Sequence, residues 1–250
     1  MGITIKTAPE LEKMRAAGNL VGRLLVELSK RVKPGVSTKA LDDFSRDFIE
    51  SQGATPAFLG YHGYPASICA SVNEQVVHGI PSVRPLAEGD IVGIDVGAVL
   101  NGFVGDAART FAVGKVSEEA ARLMAVTKES LNRGIAAATH NGHVQDIGAA
   151  VQAYAEAAGF SVVRDFVGHG IGRAMHEEPQ IPNYGRRGLG PKLKAGMTLA
   201  IEPMVNAGVA AVDVLSDGWT VMTRDRRLSA HFEDTVIVTA GEPEIITRLD

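Results

Sequence analysis

Two kinds of period alternate along this chain. After Thr7-Ala8-Pro9-Glu10, apolar residues Leu11, Met14, Leu20, Val21, Leu24 and Leu28 recur at helical spacing. The Thr and Glu read as a capping box, with proline early in the first turn, and Lys33-Pro34-Gly35 ends the helix. Ser37 opens a second helix that carries Leu41, Phe44, Phe48 and Ile49 on one face. From Ser67 to Val113 the pattern is strand-like and rich in Gly and Val. Ser117 caps a third helix running to about His140, and a fourth covers about Val144 to Ala158 before Gly159. The remainder is strand-like, with Leu199–Val205, Thr220–Thr223 and Thr235–Thr239 the clearest runs.

The order is therefore two helices, strands, two helices, strands. It hints at two similar halves, although their sequences do not visibly repeat. No low-complexity linker separates them. The pattern predicts a single α+β domain over residues 1–250, with helices packed over a mostly antiparallel sheet.

Composition narrows the function classes without changing that frame. With 45% hydrophobic and 22% charged residues the chain reads as an ordinary globular protein rather than a disordered one. A net charge of -4 excludes binding to nucleic acid through bulk positive charge. Arg186-Arg187 and Lys192 to Lys194 read as solvated loop. The one cysteine, Cys69, allows no internal disulfide and suits a reducing compartment. There is no signal-peptide pattern and no apolar stretch of membrane-spanning length, so the expected location is the cytoplasm.

The candidate chemistry lies where acids interrupt apolar strands. Ile91 to Val96 is an apolar run broken by Asp95, and Asn101-Gly102 is a strong hairpin signal. A two-residue turn there pairs Leu100 with Phe103 and Gly97 with Asp106. Asp95 then shares a face with Gly97, so the two carboxylates are diagonal neighbours with backbones roughly 7–8 Å apart. Two ionised carboxylates that close on an apolar surface repel each other, so either one acid keeps its proton or a cation joins them. The readings are a turn-capping Asp facing water, a shared proton as in aspartic proteases, or a bridged metal pair.

Three more residues fit the last reading. His169 lies between glycines in Phe166 to Gly172; with no Lys-Ser/Thr after it, the run is not a Walker-type loop. Glu202 breaks the run Met197 to Met204, and Glu233 enters Phe232 to Val238. One such Glu reads as a wet-face residue. Four acids, each entering an apolar strand, are accounted for more simply by a shared cation site. Four carboxylates and one imidazole suit Mn, Fe, Co or Zn, and point to metal-assisted hydrolysis.

The residues also resemble a known family over nearly the whole chain, the bacterial type I methionine aminopeptidases of the pita-bread fold. The matching stretches include Gly60 to Pro65, Val72-Asn73-Glu74, His78 to Pro81, Ile94-Asp95-Val96 and Gly105-Asp106. They continue through Gly168 to Gly172, His176 to Pro179, Gly196 to Thr198, Ile201 to Met204 and Asp217 to Thr220. The resemblance implies a curved, mostly antiparallel sheet with helices on its outer face, in two pseudo-symmetric halves. It implies removal of the initiator methionine from nascent proteins, with a small second residue preferred. Two divalent ions would be held by Asp95, Asp106, His169, Glu202 and Glu233, with Asp106 and Glu233 bridging. A water between the ions would attack the scissile carbonyl, with Glu202 as base. His176 would stabilise the tetrahedral intermediate and His78 would contact the substrate amide. Phe58, Tyr61, Tyr64, Cys69, Met175 and Trp219 would join these two histidines around the methionine. A monovalent cation, Na or K, would sit on main-chain oxygens at Asn73, Gln75 and Ser229.

The same resemblance implies a monomer, with transient ribosome contact to which the loop around Arg186 and Lys192 contributes. The chain departs from the family at Phe58, where a smaller residue is common, and at Met175, where Phe is usual. His231-Phe232-Glu233-Asp234 replaces a more usual Gln-Tyr-Glu-His. Two alternatives remain. One is another pita-bread hydrolase, such as a proline-type aminopeptidase, and the other a binding relative without catalysis. Only 25 residues separate His176 from Glu202, against the long insertion of type II enzymes.

Overall fold

The computed structural model describes residues 2–249. Helix α1 (Ala8–Ser29) begins where the Glu10 carboxylate turns back to accept the Thr7 N–H and hydroxyl, both at 2.9 Å. Its buried stripe holds Met14, Leu20, Val21, Leu24 and Leu28, as the periodicity predicts. Helix α2 (Thr38–Ser51) starts at Ser37, whose Oγ accepts the Ala40 N–H. Three short strands follow: β1 (Thr55–Pro56), β2 (Ile68–Val72) and β3 (Gln75–Val77).

The ten-residue strands β4 (Ile91–Leu100) and β5 (Phe103–Ala112) form the central hairpin. Asn101 (φ 54°) and Gly102 (φ 76°) are both left-handed, as a two-residue turn matching the strand twist requires. The register is the one the turn implies: Leu100 opposite Phe103, Gly97 opposite Asp106 and Asp95 opposite Ala108.

Helix α3 (Glu118–Ala136) is capped by Ser117 and ends about a turn before His140, earlier than its periodicity predicts. The chain turns over Thr139 to Gly142 instead, with Asn141 at φ 68°. Helix α4 (Val144–Ala157) then ends near Gly159. Ten short strands complete the chain. They are β6 (Ser161–Val162), β7 (Gly168–Gly170), β8 (Glu177–Ile181), β9 (Thr198–Ile201) and β10 (Met204–Asn206), then β11 (Val212–Val214), β12 (Val221–Thr223), β13 (Ser229–His231), β14 (Asp234–Ile237) and β15 (Glu244–Ile245).

Every described strand pairing is antiparallel. The strands form four small sheets rather than one. In the first half, β4 is flanked by β2, β5 and β1; in the second, the order β15-β14-β9-β7-β8 makes the largest sheet. Each half has its own core. Leu20, Leu24 and Leu28 of α1 pack with Ile68, Ile94 and Val96, while Leu131 and Ile147 pack with Leu199, Ile201 and Val236. The halves join along a seam: the Glu233 N–H donates to the Ala108 carbonyl at 2.9 Å, β3 pairs with β12, and the Ser229 N–H donates to the Asn73 carbonyl at 2.9 Å.

One expected strand is corrected. The run Leu199–Val205 is divided at Glu202-Pro203, with β9 in the five-stranded sheet and β10 in a separate sheet with β13 and β6. Proline has no N–H for a ladder, so the chain leaves one sheet there and joins another. No helix among the described residues is long and apolar enough to cross a membrane.

Candidate metal centre

The hairpin register sets Asp95 on β4 and Asp106 on β5. Thr235 of β14 locks the second of these across the seam between the halves. Its Oγ1 donates to the Asp106 carbonyl at 2.7 Å and accepts the Asp106 N–H at 3.2 Å. Glu233 follows the same seam, held by its backbone bond to Ala108.

His169 occupies the middle of β7, between β8 and β9. Its flanking glycines are required by that position. A Cβ on Gly168 would come within 2.4 Å of the Ala200 carbonyl oxygen, and one on Gly170 within 2.2 Å of the Glu178 carbonyl oxygen. The ring Nδ1 donates to the Gly170 carbonyl at 2.9 Å, which leaves the Nε2 lone pair free to bind a cation. That Nε2 lies 3.5 Å from Glu202 Oε1 and 3.8 Å from Asp106 Oδ2. Glu202 sits at the break between β9 and β10; its backbone carbonyl accepts from Asn183 Nδ2 at 3.1 Å, and its side chain is free to turn inward.

Ligand atoms of Asp106, His169 and Glu233 all lie within 4.8 Å of one another. Asp95 Oδ1, Asp106 Oδ1 and Glu233 Oε1 are buried with no hydrogen-bond partner. Burial pushes the Asp95 carboxyl up to about 7. Burial first, and neighbouring carboxylates second, push Asp106, Glu202 and Glu233 well above the usual carboxylate range. Burial also holds the His169 ring down to about 3, hence neutral. Partnerless oxygens, mutual repulsion and a neutral imidazole are the chemistry of a cation-binding cage, and divalent cations would let all four acids ionise together.

A cavity of about 150 Å³ opens onto these residues. Every one of the expected metal and substrate residues lines it: Asp95, Asp106, His169, Glu202 and Glu233 with Phe58, Tyr61, Tyr64, Cys69, His78, Met175, His176 and Trp219. Tyr64 reaches the carbonyls of Ile68 (3.1 Å) and Gly79 (3.0 Å) and meets Trp219 edge-on, with ring centres 5.0 Å apart. The Asp217 carboxylate accepts the Trp219 and Thr220 N–H groups at 2.8 and 2.9 Å, which sets the loop that delivers the indole. His78 holds a left-handed backbone (φ 59°) between Phe166 and Trp219, and burial lowers its ring to about 4.

The chain matches the model of metallopeptidase family M24 over residues 12–240. The chain belongs to this family. It is 55% identical over 246 residues to a methionine aminopeptidase of Clostridium acetobutylicum, covering 98% of each chain. It is 51% identical to methionine aminopeptidase 1 of Bacillus subtilis, over 99% of this chain and 100% of that one. In structure it matches methionine aminopeptidase from Rickettsia prowazekii with a TM-score of 0.97 and 48% identity, over 98% of this chain and all of the other. Within the M24 family the architecture is the pita-bread fold, with its two halves closing on the acids.

The expected cation residues lie apart from this cavity. Asn73 at φ 56° follows β2, its carbonyl accepts the Ser229 N–H at 2.9 Å, and Gln75 begins β3. Three further features escaped the sequence reading. Tyr61 Oη lies 2.7 Å from His176 Nδ1. Asp234, fully buried, is clamped by Arg109 at 2.5 Å and Arg248 at 2.6 Å, while Arg109 also donates to the Glu233 carbonyl. His231 turns toward the carboxylates, and its place two residues before Glu233 was the available signal, because alternate residues of an extended chain share a face.

Proposed function

We propose that this chain is a metal-dependent aminopeptidase, one catalytic domain that removes the initiator methionine from nascent polypeptides with a small second residue. The observation that carries this reading is a single small cavity with an apolar, aromatic wall above a floor of carboxylates and imidazole. Its volume is below the roughly 300–1,000 Å³ usual for drug-sized ligands, which suits one side chain. A soft thioether fits a wall of Tyr64, Cys69, Met175 and Trp219. The naming of the high-identity relatives supports the same substrate.

Asp95, Asp106, His169, Glu202 and Glu233 would hold two divalent ions of the Mn, Fe, Co or Zn class. Bound there, such ions supply Lewis acidity toward a carbonyl and make water easier to deprotonate. Glu202 takes the proton of the attacking water on its carboxylate and returns it to the departing amine. Tyr61 Oη, 2.7 Å from His176 Nδ1, would donate to it and so leave the proton of the neutral ring on Nε2. That Nε2–H donates to the oxygen on which negative charge develops. His78, kept neutral by burial, orients the substrate amide.

The protein acts in the cytoplasm as a monomer. The exposed loop holding Arg186 and Lys192 contributes to transient ribosome contact, and Asn73, Gln75 and Ser229 take a Na or K ion. Purified protein supplied with Mn, Fe or Co should cleave Met-Ala-Ser and leave Pro- and Leu-initiated peptides intact. Cleavage of the Pro peptide in place of the Met peptide would mark a proline-type enzyme, and cleavage of none would sink the catalytic reading.

A further inference from the structure

His231 is a polar side chain turned toward the acids that the proposed two-ion reading leaves without a task. Its Nε2 is buried with no hydrogen-bond partner. It lies 3.9 Å from Glu202 Oε2 and 3.9 Å from Glu233 Oε2. The residue cannot easily withdraw. Its N–H donates to Thr110 Oγ1 at 2.9 Å, the same hydroxyl donates to its carbonyl at 2.8 Å, and it pairs with Met204 across β10 and β13. Only 3% of it is exposed, so water does not reach the ring from behind.

The two glutamates present themselves to this ring alike. Each turns Oε2 toward His231. Glu202 directs Oε1 to the His169 Nε2 at 3.5 Å, and Glu233 Oε1 is buried without a partner. At 3.9 Å no hydrogen bond is formed, but a small rotation of either carboxylate closes the gap. A carboxylate that spends one oxygen on a cation has the other free for a donor. An imidazole can offer Nε2–H as the neutral tautomer or as the cation.

Resting on the two-ion reading, we infer that His231 is a positioning residue of the centre, donating Nε2–H to the outer oxygen of Glu202 and so holding its inner oxygen toward the ion it shares with His169. It serves Glu202 as the Gly170 carbonyl serves His169, by fixing the orientation of a ligand without being one.

The test is calorimetric titration of metal-free wild type, His231→Leu and His231→Gln with Mn, followed by peptide kinetics. Wild type should take up two ions. His231→Leu should weaken the ion held by Glu202 and His169 about tenfold to a hundredfold and lower kcat more than it raises KM. His231→Gln, whose amide N–H has similar reach, should keep both near wild-type values. If the Leu variant does not fold, judged by circular dichroism, His231→Met replaces it. A Leu or Met variant that binds both ions like wild type overturns the inference, and so does a Gln variant that fails as badly. Spin-echo spectra of the Mn-loaded wild type should show one coupled imidazole nitrogen, from His169; two would make His231 a ligand and overturn its positioning role. Wild type that binds no divalent ion would overturn the centre itself, an outcome distinct from intact binding in the Leu variant.

Discussion

The two halves deliver their acids to the cavity by different means. The first half places Asp95 and Asp106 on one continuous hairpin, whose turn sets the register of both residues. The second half gathers His169, Glu202 and Glu233 from three separate places: the middle of a three-residue strand, a break between two sheets, and the approach to a third strand. The hairpin is held by its own ladder. Thr235 fastens Asp106 from the far side, and the second group is held by groups distant in sequence: Arg109 on the Glu233 carbonyl and Asn183 on the Glu202 carbonyl. A site half built on local geometry and half on remote anchors should therefore fail in two distinguishable ways.

The largest effect tests whether the halves act as one centre. Asp106→Asn from the hairpin and Glu233→Gln from the far side should each lose bound metal and peptidase activity together, by metal analysis and peptide assay. Retention of both ions in either variant would break the picture of a jointly held centre. Next comes His176→Ala, which should keep its metal and lose about 10²–10³ in kcat, the cost of one donor to a developing oxyanion. Normal turnover in that variant would remove His176 from the chemistry.

Third is the remote anchor. Asp234 is fully buried under Arg109 and Arg248, and Thr247 donates to it at 2.8 Å. Asp234→Asn should cost about 3 kcal/mol by denaturant unfolding, because Arg109 is left largely buried without its counter-charge. It should also weaken activity, since Arg109 holds the Glu233 backbone. Unchanged stability would show that the second half does not depend on this clamp.

Fourth is pH dependence after chelation. Burial raises Asp95 to about 7 and holds Asp106, Glu202 and Glu233 well above the usual carboxylate range in the fold, whereas unfolded carboxyls ionise near pH 4. A raised carboxyl pKa gives stability that is complete below about pH 4 and is lost as pH rises through the folded value. His169 and His231, lowered to about 3, contribute with the opposite sign, and their contribution is complete by about pH 6.5. Metal-stripped protein should therefore lose about 1.4 kcal/mol per pH unit above pH 6.5 for each carboxyl still protonated in the fold. Added divalent ions should abolish that slope. A flat profile without metal would mean that burial and neighbouring charge do not hold these acids protonated in the fold. The smallest effect probes the local half. Gly102→Ala, at φ 76°, should cost about 1 kcal/mol in thermal or denaturant unfolding, with no change in metal stoichiometry.

The sequence by itself determined what is local. Four helices follow from capping residues and the 3.6-residue period, and the diagonal placement of Asp95 and Asp106 follows from the Asn101-Gly102 turn, because two-residue turns admit one register. The residue types also announced a cation, since acids inside apolar strands need a counter-charge. Only the tertiary structure decided how the run around Glu202 divides between two sheets, because Pro203 marks a break in the ladder without saying where each side goes. It alone decided that His231 faces the glutamates, that Tyr61 meets His176 and that Arg248 closes over Asp234. Those pairings span 14 to 115 positions of chain or depend on which sheet edge a short strand joins, and no period or turn rule reaches that far.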